Sequence, residues 1–222
     1  MFNRLLGRSR RDRSGQVSAP ATPDVPASVR IADGDLALKF RSGLPNSIAY
    51  LRSHYPAAGW RDHPDFGRLA AFWLETHDVL RSHGRELQQS VNAFRENSSD
   101  PRAFRTHFIP RINQFLQHLN GHHRIEDHTY FPRFRALDRR MVAGFDLLEA
   151  DHRVIHGALL RTGASAQTLI KAVSRSPVSA RYEADAYATE ADRLLDLLLR
   201  HLADEEDLIV PAMLRHGEQR IG

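Results

Sequence analysis

From Asp62 onward, large apolar residues recur every three to four positions and nowhere alternate, so they fall on one face of α-helices and leave no strand pattern. Four long segments share this period. The first follows Asp62 and Pro64, carries Phe66, Leu69, Trp73, Leu80, Leu87, Val91 and Phe94, and stops at the run Asn97-Ser-Ser-Asp-Pro101. The second carries Phe104, Phe108, Ile112, Phe115 and Leu119 and reaches about Leu137. Pro110 interrupts it, so the helix is expected either to kink there or to begin there. The third runs from about Arg140 to Val173 and breaks at SRSPVS, and the fourth from about Tyr182 to His216, closing at Gly217. Long amphipathic helices with short connections predict an all-α fold, an up-down-up-down four-helix bundle over residues 62–217.

What precedes the bundle reads differently. Residues 1–30 are rich in Arg, Ser, Ala and Pro with few large apolar side chains, which predicts a disordered tail. Residues 31–61 form an extension in which a short helix is expected between Asn46 and His54. No segment approaches the ~18 consecutive apolar residues of a membrane helix. The opening MFNRLLGRSRRDRSG has no apolar core of the export type, so a cytoplasmic protein is expected. The formal charge of +4 equals the balance of five Arg and one Asp in residues 1–15, which leaves the bundle neutral and argues against nucleic acid as a partner.

Cysteine is absent, so thiolate chemistry, Cys-type zinc sites and iron–sulfur clusters are excluded, and any metal must be held by His and carboxylates. All 13 His lie after residue 50. His122 and Glu126, His152 and His156, and His201 and Glu205 are each four residues apart, a spacing that puts both members of a pair on one helix face. HHRIEDHTYFP (122–132) also echoes HLADEEDLIVP (201–211), matching His with His, Glu with Glu and Pro with Pro. Two glutamates at equivalent places on two helices could bridge a pair of metals from opposite sides.

Register brings these pairs to one level, because antiparallel neighbours meet at equal distances from their shared turn. His77 and His122 are centred on NSSDP, His152 or His156 with His201 on SRSPVS, and Glu126 with His152 on the connection near Arg139. This favours His77 over His83 as the first-helix ligand. Buried imidazoles and carboxylates in one layer are costly unless paired or bound to metal. His123 and Asp127 are expected beside the site, at most bonded to a ligand, and His54, His63, His107 and His216 at the surface. Tyr130 is expected to pack with Phe131 and Phe134 away from the site.

The segments WLETHDVL, HHRIEDHTYFP, LLEADHRVIH and LLRHLADEEDLIVP, spread over residues 73–211, resemble the hemerythrin family in its broad bacterial group of HHE cation-binding proteins. The resemblance implies a centre of two iron ions held by His77, His122, Glu126, His152, His156, His201 and a carboxylate, Glu205 or Glu206, of which the internal echo favours Glu205. It implies a non-haem di-iron protein that binds a small ligand such as O2 or NO in sensing, storage or transport. Non-catalytic binding is the first reading. The alternatives are a di-iron enzyme reducing peroxide and a protein that delivers iron for metal-centre repair, as some relatives do.

Overall fold

Asp100 opens the second long helix by accepting hydrogen bonds from the backbone N–H groups of Arg102 and Ala103, and Pro101 takes the first helical position, where its missing N–H costs nothing. The computed structural model describes residues 36–96 and 100–222. The expected tail over 1–30 lies outside the described residues. Among those residues there is no strand, and the helices are α1 (Arg68–Arg95), α2 (Pro101–Ile125), α3 (Phe131–Leu137), α4 (Val142–Val173) and α5 (Pro177–His216). α2 and α3 are one rod, joined through a single π turn over Glu126–Tyr130. The result is the expected all-α bundle, with four long rods packed in the ring order α1, α2, α4, α5.

Pro110 neither starts α2 nor breaks it. The helix begins nine residues earlier and carries the proline on its exposed face. α5 begins at Pro177, five residues before the expected Tyr182, and runs through Pro211 to Gly217, which adopts φ 83°. In place of the short helix expected over 46–54, the backbone makes consecutive turns, and a 3-10 turn follows at Ala57–Gly59. Pro45 and Pro56 flank this stretch and leave too short a window for a helical nucleus to propagate.

The start of α1 lacks a local side-chain cap. Glu218, from the other end of the chain, fills that role: its carboxylate accepts from the N–H groups of Gly67, Leu69 and Ala70 at 3.1, 3.0 and 2.8 Å. Besides a small cluster around Trp60, Leu74, Val210 and Leu214, the apolar core has two large parts. One centres on Leu87, Phe104, Phe108, Phe115 and Leu194, the other on Trp73, Phe131, Phe134, Phe145 and Met213. Between them lies a layer of buried polar side chains.

Candidate metal centre

α2 touches α1 on one side and α4 on the other. Successive residues of a helix point about 100° apart, so the adjacent His122 and His123 serve different neighbours. His122 meets His77 of α1, with ring centroids 5.1 Å apart, and His123 stacks on His152 of α4 at 4.0 Å. Two donor groups result: His77, His122, Glu126 and Glu205 in one, His123, His152 and His201 in the other, with the ligand atoms of each group within 4.8 Å of one another. That spread suits transition-metal bonds of about 2.0–2.2 Å.

The two glutamates connect the groups. Glu126 places Oε1 2.9 Å from His122 Nε2 and Oε2 3.6 Å from His152 Nε2. Glu205 places Oε1 3.7 Å from His77 Nε2 and Oε2 3.2 Å from His201 Nε2. Each carboxylate therefore spans both histidine groups, one from each side of the bundle, as the internal echo of the sequence suggests.

The Nδ1 atoms of His77, His152 and His201 face carboxylates outside the layer. His77 Nδ1 donates to Glu206 at 2.8 Å, and His152 Nδ1 donates to Asp127 at 2.7 Å. Asp151 Oδ2 lies 3.5 Å from His201 Nδ1, a charge contact longer than a formed hydrogen bond. A carboxylate can only accept, so it fixes the proton on Nδ1 and turns the Nε2 lone pair inward. Arg41 backs Asp151 from the N-terminal extension, binding both of its oxygens, and its Nε donates to Asp204 at 2.6 Å. The Arg41 side chain is 2% exposed.

Buried polar atoms without a hydrogen-bond partner concentrate on this layer: Nε2 of His77, His122 and His123, both oxygens of Glu126, and Oε2 of Glu205. His122 Nε2 and Glu126 Oε1 come within 2.9 Å without hydrogen-bond alignment. Unsatisfied buried groups of this kind cost of order 1–3 kcal/mol each, and a bound cation removes that cost for the whole set.

The local electrostatics are polarised. Burial and the neighbouring Glu205 push the Glu126 carboxyl well above the usual carboxylate range. Burial acts the same way on Glu205, but His77 and His201 outweigh it and hold that group well below. Burial pulls His122 down to about 3 and carries His123 well below its ordinary value, so both present neutral nitrogens. His201 is also penalised by burial, yet Asp151 and Glu205 raise it to about 9.

Local backbone geometry contributes to this placement. Pro132 has no N–H and its ring crowds the carbonyl four residues back, and the π turn before it opens the ladder, with the N–H of Phe131 bonding to the carbonyl of Glu126. The extra residue moves Phe131, not Tyr130, beneath Glu126: Phe131 is fully buried. Tyr130 packs against the cluster of Phe131 and Phe134, as expected, but turns edge-on to Trp73, with centroids 4.8 Å apart, and lines a cavity shared with His122 and Glu126, so it is not away from the site.

The family model of the hemerythrin HHE cation binding domain matches residues 68–213, more than half of the chain. The chain belongs to this family. No curated protein and no solved structure matches it.

Of the residues singled out in the sequence, the HHE fold brings together His77, His122, Glu126, His152, His201 and Glu205. It does not bring His156 into either donor group: the exposed side chain lines a cavity beside His123, His152 and Asp127. His156 lies about 6 Å further along α4 than His152 by helix rise, with its side chain exposed. His123, expected only beside the site, contributes the third nitrogen of its group. Glu206 stands behind His77 and also accepts from Arg81 at 2.8 Å, while Glu205 lies inside. His83 sits away from the layer, its ring 6.2 Å from His118. Arg41 is not among the residues singled out in the sequence, since a lone arginine in a turn-rich segment gives no sequence signal.

Proposed function

We propose that this HHE domain holds a dinuclear non-haem iron centre and binds a small exogenous ligand, O2 or NO, in sensing, storage or transport. The observation that carries this reading is the pair of buried glutamates, each with one oxygen toward His77 or His122 and the other toward His152 or His201. Two ions bridged in this way would take His77 and His122 on one side and His123, His152 and His201 on the other. Imidazole and carboxylate donors suit iron in both common oxidation states. Five imidazoles and two bridging carboxylates offer fewer donor atoms than two roughly octahedral ions accept, which leaves room for a small ligand. Leu80, Phe115, Leu119, Ile155 and Leu198 are buried in the apolar cluster on one side of the layer.

A second reading, reduction of peroxide, gains support from Tyr130, which shares a cavity wall with His122 and Glu126 and is placed to hold a proton near the ligands. Anaerobic loading with ferrous iron, followed by exposure to O2, NO or peroxide under optical detection, separates the two. Reversible spectral changes with O2 or NO support binding. Repeated peroxide turnover that falls sharply in Tyr130→Phe would replace that reading by catalysis.

A further inference from the structure

Beside the ligand layer, a cavity of about 330 Å3 opens between α1 and α2. Its mouth lies at Phe72 and Ile125, which are 60% and 56% exposed, and its floor at the buried Glu126. Trp73 and Tyr130 form an aromatic wall. A diatomic molecule needs about the ~30 Å3 share of one water, and a dry cavity of ~150 Å3 suffices for benzene. The space is therefore far larger than an O2 or NO site requires, and it reaches the lower end of small-organic-ligand pockets, roughly 300 Å3.

Gly121 forms part of the wall, in the interior of α2. Glycine in mid-helix is unfavourable, and at two other helical positions close packing accounts for it: a Cβ on Gly84 would meet Leu195 at 2.3 Å, and one on Gly144 would meet Leu208 at 2.8 Å, whereas one on Gly157 of α4 would meet only the tip of Arg161 at 3.6 Å. A Cβ on Gly121 would meet nothing within 4 Å. No neighbour demands a glycine there. What its missing side chain preserves is the open volume of the cavity.

We infer that this cavity is a binding site for a neutral molecule of one or two aromatic rings, held edge-on or stacked against Phe72, Trp73 and Tyr130 with a hydrogen-bonding substituent toward Glu126. No Lys, Arg or Asp lines it, and its one carboxylate, Glu126, lies at the floor among the donor groups, so the mainly apolar walls favour a neutral ligand. The site rests on the dinuclear reading only for its position beside the metals, since its walls are complete without them. Aromatic pairs with these rings supply about the same modest attraction as core aromatic contacts.

The test uses the full chain as purified, with indole and phenol as probes followed by calorimetry, and metal content measured on the same samples. Saturable one-to-one binding of indole is expected, weakened at least tenfold in Gly121→Phe, which fills the cavity, and severalfold in Phe72→Ala, with metal content unchanged in both. Failure of both probes to bind the wild-type chain, or equal binding by Gly121→Phe, overturns the proposal. Should Gly121→Phe fold poorly, Gly121→Leu gives the same readout. Indole binding that depends on Gly121 in a protein without metal would retain this site and reject the dinuclear centre. A metal-loaded protein that ignores both probes would do the reverse.

Discussion

At the scale of single residues, the decisive contrasts are between neighbours. Glu205 lies among the donor atoms and Glu206 behind His77, so Glu205→Ala is expected to remove most bound metal. Glu206→Ala should lower affinity only by the ~10–100-fold typical of an outer partner. Likewise His123→Ala should cost metal and His156→Ala should not, because only the first is buried in the layer. Chelator competition on the four variants measures this, and a His156→Ala protein that loses its metal would contradict the assignment. Protons compete for the same nitrogens. His201 is raised to about 9, so without metal it holds a proton below that pH, and the metal must displace it. Apparent metal affinity should rise as pH climbs toward about 9, with protons released on loading, while the metal-free fold loses the stabilisation of charged His201 as pH passes that value.

At the scale of elements, two contacts tie distant parts of the chain to the bundle. Arg41 neutralises Asp151 and Asp204 in a buried setting, so Arg41→Met leaves carboxylates uncompensated and should cost about 3–5 kcal/mol. Denaturant unfolding of the metal-free protein measures it, and an unchanged midpoint would show that the extension does not brace the site. Glu218→Ala uncaps three N–H groups at the start of α1 and should cost ~0.5–2 kcal/mol. Neither contact was legible in the sequence, since each pairs residues more than 100 positions apart. The helices themselves were legible, because apolar periodicity and the breaks at Asp100-Pro101 and Ser176-Pro177 act locally. The site was legible where one stripe faced inward, as in His122 with Glu126. Reading failed at His123, because two adjacent histidines serving two neighbouring helices follow no single stripe, and at Tyr130, because the π turn shifts register by one residue.

At the scale of the whole molecule, a polar layer separates the two larger apolar clusters and draws a donor from every rod of the bundle. A metal bound there links all four rods, and ligands that bind only the folded state stabilise it. Chelation should therefore lower the melting temperature of the whole bundle, as a single cooperative shift. The central claim is that Glu126 and Glu205 bridge two ions. Metal quantification on protein loaded anaerobically with ferrous iron and freed of excess tests it most directly. About two irons per chain are expected, falling together in Glu126→Ala and Glu205→Ala because each carboxylate reaches both histidine groups. A single ion per chain, or zinc alone with no iron retained, would contradict it.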